Sequence, residues 1–135
     1  MDHARPVNLH RVIRDVVASM DAQLRGIDVV LVLDDQPLFV TVEQRRVEHL
    51  LATLLGNAIE AIGTSDGKIL VAVHVQHDTR RARVEVSDTG VSATVSPDLV
   101  ALREIVESYD GQLHAKSTPG VGNEVVFDLP LTTTR

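Results

Sequence analysis

The sequence contains no cysteine and no tryptophan, and only 2% of its residues are aromatic. Without cysteine the chain has no disulfide, no thiolate metal ligand and no thiol nucleophile. So few aromatic rings do not make a base-stacking surface or a sugar-binding platform. No apolar run approaches the roughly 20 residues that span a bilayer, and the N-terminus has no signal-peptide core. A net charge of −6 gives no general attraction to nucleic acid or anionic membrane. We therefore expect a soluble cytoplasmic domain without membrane insertion or nucleic-acid binding.

What the chain does contain is typical of one ordinary globular domain. Its 135 residues are 44% apolar and 24% charged, and domains most often hold about 100–150 residues. The scarcity of aromatic residues means that Val, Leu and Ile must build the core. No repeat, low-complexity stretch or linker divides the sequence. We expect a lead-in over residues 1–7, one domain over residues 8–131 and a tail over residues 132–135.

Three segments have the apolar spacing of amphipathic helices. The first covers residues 8–26, and the third covers residues 96–110. The second follows a capping-box pattern formed by Thr41 and Gln44 and runs to about Ile62. Each helix has one apolar stripe, so each is expected to pack by one face only.

Between and after the helices lie runs rich in β-branched residues, which favour strands. Asp34–Pro37 is predicted to turn the first run back onto the second, and His77–Arg80 to join two alternating runs in a hairpin. The simplest packing is an α+β fold, a two-layer sandwich with three helices on one face of a mixed, mostly antiparallel sheet. The predicted strands cover residues 28–33, 38–40, 69–75, 82–86, 113–115 and 125–129.

The second helix has a line of polar residues away from its apolar stripe. His49, Thr53, Asn57 and Glu60 share this face by their spacing, although such a line is most often only a solvated surface. Gly56 in mid-helix costs about 1 kcal/mol relative to Ala and often marks the close approach of another group. The face is therefore a candidate site.

Two further features have both a structural and a functional interpretation. Asp88 ends an alternating strand just before Thr89 and Gly90, which is typical of simple turn chemistry. The functional interpretation is a carboxylate at a pocket floor that accepts a hydrogen bond from a ligand amine. Pro119–Gly122, taken alone, is typical of a hairpin turn.

Taken in order, these segments resemble the conserved boxes of sensor histidine kinases. Leu54–Ile62 resembles the N box, Val84–Gly90 resembles the first glycine box, and Arg103–Leu131 resembles the C-terminal half with its last glycine turn. The resemblance spans nearly the whole chain in the family's order. It implies the catalytic and ATP-binding domain of histidine kinases, which belongs to the GHKL superfamily and has the Bergerat fold.

The resemblance also implies roles for individual residues. Asn57 matches the asparagine that helps to hold Mg²⁺ and the phosphates of ATP. Asp88 matches the aspartate that accepts the adenine amino group, and Gly90 matches a glycine that lets the chain pass close to the base. Gly120 and Gly122 match the last glycine box, near the adenine. The implied cofactor is ATP with Mg²⁺.

Four departures from the family pattern all concern the phosphates. Thr53 replaces the first N-box asparagine and is the candidate catalytic side chain, but Thr is a poorer metal ligand. Ser92 replaces a glycine, and residues 91–96 are too few for the family's long lid. Pro97 and Asp98 stand where a phosphate cradle needs free N–H groups and no negative charge. We therefore expect ATP binding to be weak or absent.

The favoured hypothesis is a histidine-kinase-like ATP-binding domain of two-component signal transduction with impaired phosphate binding. One alternative is a functional kinase domain that phosphorylates a histidine on a separate dimerisation domain. Another is a non-catalytic phosphotransfer or receiver-docking module, and chain length alone suggests a stand-alone anti-sigma-factor kinase. The implied partners are a histidine-bearing dimerisation domain and the receiver domain of a response regulator. The chain alone is not expected to autophosphorylate.

Overall fold

The computed structural model describes residues 3–63, 66–91 and 98–132. Within these ranges the chain forms three helices and seven strands. In order they are β1 (Arg5–Asn8), α1 (Leu9–Ser19), β2 (Ile27–Val32), β3 (Phe39–Val42), α2 (Gln44–Ile62), β4 (Gly67–Gln76), β5 (Arg81–Asp88), α3 (Asp98–Ser108), β6 (Leu113–Thr118) and β7 (Gly122–Pro130).

A five-stranded sheet in the order β2-β4-β5-β7-β6 forms one layer of the domain. Only the β2–β4 pairing is parallel, and the other three pairings are antiparallel. Strands β1 and β3 form a separate two-stranded antiparallel sheet. The helices pack on the mixed sheet, so the predicted α+β sandwich is confirmed. None of the helices in the described ranges has the length and apolar composition of a transmembrane helix.

The core is aliphatic, as the composition requires. Alternation along β5 buries Val84 and Val86, and alternation along β7 buries Phe127 and Leu129. Phe127 is the only aromatic residue among the fully buried side chains of the described chain. The leucines of α2 cover this sheet face, so both strand and helix periodicity direct apolar groups to one interface. The buried leucines of α2 are Leu50, Leu51, Leu54 and Leu55.

The predicted turn between β2 and β3 is wrong as a hairpin. Strand β2 pairs in parallel with β4, whereas β3 pairs with β1 in the other sheet. Asp34, just after β2, accepts a hydrogen bond through Oδ2 from the backbone N–H of Val75, with N and O 3.1 Å apart. This bond attaches the segment between β2 and β3 to β4.

Helix α1 is shorter than its apolar pattern predicts. It begins after Asn8, whose Oδ1 accepts a hydrogen bond from Arg11 N, and it ends at Ser19 rather than near Gly26. Ser19 Oγ donates to the carbonyl of Val16 at 2.7 Å. Leu24 is buried outside the helix, so its spacing in the pattern reflects burial and not helical structure.

The predicted capping box before α2 is also wrong. Thr41 lies within β3, and its hydroxyl oxygen is 3.0 Å from that of Thr132. The residue at the N-cap is Glu43, which makes no side-chain capping bond and instead donates its backbone N–H to the hydroxyl of Tyr109. The predicted start of the third helix at residues 96 and 97 lies outside the described residues.

Candidate functional site

Asp88 is the last residue of β5, the central strand of the sheet. Its Oδ1 atom accepts two hydrogen bonds, from Gly90 N at 2.7 Å and from Asn123 Nδ2 at 3.0 Å. Its Oδ2 atom makes no hydrogen bond with the described residues. The carboxylate is half-buried, so one oxygen is fixed by the protein while the other remains available as an acceptor.

Asn123 is a site residue that the sequence analysis missed. It lies directly opposite Asp88 in the β5–β7 register, and its own Oδ1 accepts a hydrogen bond from Ser117 Oγ at 2.6 Å. Bonds to both ends of the amide fix its orientation, so Asn123 presents a donor to the carboxylate. The available signal was its position directly after the last glycine turn.

The last glycine turn brings β7 against the end of β5. Gly122 has a φ of +155°, and a Cβ at this position would overlap the carbonyl oxygen of Asp88. Gly120 has a φ of +77°, but a Cβ there would meet nothing within 4 Å. Gly122 is therefore required by close packing on Asp88, and Gly120 by turn conformation alone.

Gly90 packs against helix α2. A Cβ on Gly90 would lie 2.5 Å from the carbonyl carbon of Ala61 and 2.6 Å from its carbonyl oxygen. The preceding residue is fixed as well, because Thr89 exchanges hydrogen bonds with the backbone of Lys68. The absence of a side chain at Gly90 thus has a reason within the protein, independent of any ligand.

Helix α2 contributes Asn57 to the same cleft as Asp88. Thr53, one turn earlier, is half-buried but is not among the residues that line the cleft. Apart from neighbouring backbone of α2, a Cβ on Gly56 would meet no atom of the described residues within 4 Å, so the structure gives no packing reason for this glycine. The full lining is Leu54, Asn57, Ala58, Val86, Asp88, Leu99, Ala115, Lys116, Ser117, Asn123, Glu124 and Val125.

The cleft between these residues is narrow. Its volume is about 30 Å³, whereas pockets for small ligands usually measure about 300–1,000 Å³. Leu99 of α3 and Val125 of β7 both line it. Entry of a purine base beside Asn57 therefore requires this cleft to widen, whereas a second hollow of about 290 Å³ is lined by Asp88, Gly122 and Asn123.

The described residues offer few ligands for a metal ion. No group of three or more His, Asp or Glu side chains suited to a metal occurs in the described part of the chain. Asn57 supplies one amide oxygen at the cleft, and Mg²⁺ is usually held by one or two carboxylates together with substrate phosphates and water. The residues fit Mg²⁺ only if the nucleotide itself supplies most of the ligands.

A charged residue that was not singled out from the sequence also lines the cleft. Lys116 of β6 lies at its edge, opposite Glu124 in the β6–β7 register. At the start of α3, Asp98 places a negative charge in the first helical turn, where it interacts favourably with the helix dipole. Of the site residues predicted from the sequence, Asp88 and Asn57 line the same cleft and Gly122 packs on Asp88. Thr53 does not line this cleft.

Comparison with known proteins identifies the family. Residues 42–133 match the model of the histidine kinase-, DNA gyrase B- and HSP90-like ATPases. The chain is 32% identical to the virulence sensor protein BvgS of Bordetella bronchiseptica over 82% of its length, which is 11% of that protein. It is 29% identical to the sensor histidine kinase ZraS of Klebsiella oxytoca over 85% of its length, which is 28% of that protein. The chain thus spans only a small part of these curated relatives.

Solved structures show the same fold. The nucleotide-free catalytic domain of the histidine kinase ThkA is 25% identical, with a TM-score of 0.83, and the match covers 95% of each chain. A structure of ThkA in complex with the response regulator protein TrrA matches 96% of this chain and 42% of the kinase, with 25% identity and a TM-score of 0.81. On these matches, the chain belongs to the family of histidine kinase-, DNA gyrase B- and HSP90-like ATPases.

Proposed function

We propose that this chain is the nucleotide-binding domain of a cytoplasmic two-component sensor kinase, over residues 8–131, and that it binds adenine better than phosphate. The observation that carries the proposal is the hydrogen bonding of Asp88. Gly90 and Asn123 hold one carboxylate oxygen, so the other oxygen has a fixed direction. An acceptor fixed before binding loses little conformational entropy when it takes a ligand amine.

The adenine half of the site is formed by elements that hold each other in place. Gly122 allows β7 to reach Asp88, and Gly90 allows the segment after β5 to reach α2. In this proposal Asp88 Oδ2 accepts the exocyclic amine of adenine, and Gly120 keeps the last turn close to the base. Widening of the cleft on the side of Leu99 would admit the ring.

Among the described residues, few groups suit the phosphates. Asn57 would hold Mg²⁺ through its amide oxygen, and the ion would neutralise phosphate charge when bound. Thr53 would contribute only a hydroxyl, to water or to the ion. Asp98 adds a negative charge where the phosphates would lie near the start of α3. We therefore propose weak ATP binding, with little affinity gained from the γ-phosphate.

The proposed partners are supported by the sensor kinases that the chain resembles and by the matched structure of ThkA in complex with the response regulator protein TrrA. A histidine-bearing dimerisation domain would supply the phosphoacceptor, and a receiver domain would take the phosphoryl group onward. One specific feature favours a second function, that of a docking module without ATP. The cleft of about 30 Å³ holds little more than one water molecule.

Titration with adenosine, ADP and a nonhydrolysable ATP analogue, each with Mg²⁺, tests the proposal by calorimetry and amide chemical shifts. We expect adenosine and ADP to bind with dissociation constants within about tenfold of each other, and the γ-phosphate to add less than about tenfold. If the analogue binds a hundredfold or more tightly than adenosine, a difference of about 2.7 kcal/mol, phosphate binding is intact and the functional kinase domain is favoured instead. No binding of any of the three would support the docking module.

The Asp88→Asn variant separates recognition from folding. An asparagine oxygen can still accept from Gly90 and Asn123, while its amino group replaces the free oxygen and turns an acceptor into a donor. We expect the chain to stay folded, with the free energy of unfolding lowered by about 1 kcal/mol because two charge-assisted hydrogen bonds become neutral, and adenosine affinity to fall by about tenfold or more. Asp21→Asn, an exposed carboxylate beyond α1, is the matched control and should change neither quantity.

The Asp98→Asn variant tests the phosphate half separately. Removing this negative charge should increase the affinity for ADP and for the ATP analogue while leaving adenosine binding unchanged. Equal effects on all three ligands would show that Asp98 acts on the fold of α3 and not on phosphate.

A further inference from the structure

A groove in two neighbouring parts lies at the end of the domain where α2 begins. One part, of about 430 Å³, runs between β1, the first turns of α1 and β3. The other part, of about 360 Å³, lies between β1 and the start of α2, and the two parts share Arg5 and Gln44. Gln44 is 13 positions before Asn57 on α2, or about 20 Å along the axis. This surface, here named the Phe39 groove, is thus separate from the cleft at Asp88.

Phe39 is an exposed aromatic side chain in a chain in which only 2% of the residues are aromatic. Its exposed fraction is 46%, against 1% for Phe127. Alternation along β3 directs Val40 and Val42 into the core and turns Phe39 outward, and Phe39 does not belong to the core cluster. The ring therefore contributes little to the core, whereas exposed aromatic rings are enriched at the centres of protein interfaces.

Three arginine side chains line the Phe39 groove, two of them in the part that contains Phe39. Arg5, Arg11 and Arg45 line the groove and are exposed. The two ion pairs of the described residues lie elsewhere, on β5 and β7, so these guanidinium groups form none among those residues. The carboxylates that line the groove are Asp15 and Glu43. Three arginines against two carboxylates make this surface net positive in a chain of net charge −6.

We propose that the Phe39 groove docks an acidic amphipathic segment of a partner protein. An apolar side chain of that segment packs on Phe39, and its flanking carboxylates pair with Arg5 and Arg11. Arginine suits this role because its planar fork binds a carboxylate through two parallel hydrogen bonds. An anionic membrane is the less suitable occupant, because membrane-binding clusters usually hold about 4–8 basic residues and three arginines line this groove.

The proposal predicts how charge and apolar content combine in a ligand. The probe is a synthetic amphipathic peptide of Leu and Glu, compared with a version that has Ser for Leu and a version that has Lys for Glu. Amide chemical shifts of the ¹⁵N-labelled chain map the contact, and fluorescence anisotropy gives the affinity. We expect the Leu/Glu peptide to shift the amides of Phe39, Arg11 and Gln44 while leaving those of Asp88 and Asn123 unchanged.

Matched variants identify which residues carry the binding. Phe39→Ser and Arg11→Glu should each weaken the Leu/Glu peptide by about tenfold or more. Val30→Ser removes an apolar side chain of similar exposure, 42%, and Arg25→Glu reverses an exposed charge on the turn after α1. Both controls should keep the affinity within about twofold.

Four results would overturn the proposal. The Ser-containing peptide could bind as well as the Leu/Glu peptide, which would leave only nonspecific charge attraction. The peptide could change the amide chemical shifts of arginines over the whole surface and not only those of the groove residues. The Phe39 amide could shift with protein concentration in the absence of peptide, which would make a second copy the occupant. Finally, the chain could bind phosphatidylserine vesicles and not the peptide, which would make the groove a membrane contact.

Discussion

The contact between Gly90 and helix α2 predicts a large effect of a small substitution. Gly90→Ala would place a Cβ 2.5 Å from the carbonyl carbon of Ala61 and 2.6 Å from its Cβ and its carbonyl oxygen. Two of these three atoms belong to helical backbone, which cannot move aside as a flexible side chain could. Either α2 or the end of β5 must therefore shift. Overpacking of this kind costs about 1–3 kcal/mol, and we expect the free energy of unfolding to fall by that amount without any nucleotide present.

Gly56 provides a matched control on the same helix. A Cβ added there would meet nothing within 4 Å, and its position in mid-helix gives Ala an advantage of about 1 kcal/mol. Gly56→Ala should therefore raise the free energy of unfolding by up to about 1 kcal/mol. The two substitutions add the same methyl group, and the structure assigns them opposite signs.

Urea denaturation followed by far-ultraviolet circular dichroism measures both variants, because the chain has no tryptophan to report by fluorescence. The comparison is valid if the slopes of the unfolding free energy against urea agree. Should Gly90→Ala remain within about 0.5 kcal/mol of the unsubstituted chain, the packing argument would be refuted. A destabilising Gly56→Ala would show instead that this glycine has a structural role.

Three further predictions concern the hydrogen bonds and buried groups. Asn123→Ala removes the amide donor from Asp88 and should weaken adenosine binding by about tenfold in calorimetry; unchanged affinity would show that Gly90 alone positions the carboxylate. Burial lowers the pKa of His10, whose Nε2 finds no partner among the described residues. The unfolded chain thus binds more protons, so stability should fall as the pH drops below about 6.5, and His10→Gln should remove this part of the fall in urea denaturation at several pH values. The backbone N–H of Val75 lowers the pKa of Asp34, so its stabilisation is present above about pH 4 and is lost as the pH falls further. Asp34→Asn should reduce this loss of stability at acidic pH.

The elements that were predicted correctly depend on local periodicity. The leucines of α2 recur at three and four positions, and the valines of β4 and β5 alternate about the turn at His77–Arg80. Helical and strand periods of this kind depend only on residues that are close in the chain, so they can be recognised in a single sequence. Asp88 could be placed at a strand end for the same reason.

The features that were missed depend on contacts between distant residues. Strand β2 is a run of β-branched and apolar residues that suits any neighbour, and its parallel partner begins 40 positions later, at Gly67. The bond between Asp88 and Asn123 joins residues 35 positions apart and exists only because of the β5–β7 register. Neither pairing leaves a local signal, because strand pairing is decided by packing and by such tertiary bonds.

Asp88 has a structural role that does not depend on nucleotide. Its Oδ1 atom accepts hydrogen bonds from Gly90 and from Asn123 of β7, and both donors belong to the protein itself. A domain that had lost phosphate binding would therefore still need an acceptor at this position. Asn57, by contrast, is half-buried and lies outside the core cluster, so the fold places no comparable demand on it. Substitutions can therefore change nucleotide affinity without changing the stability of the fold. Adenine recognition can be tested separately at Asp88 Oδ2, because in the described part of the chain the fold uses only Oδ1.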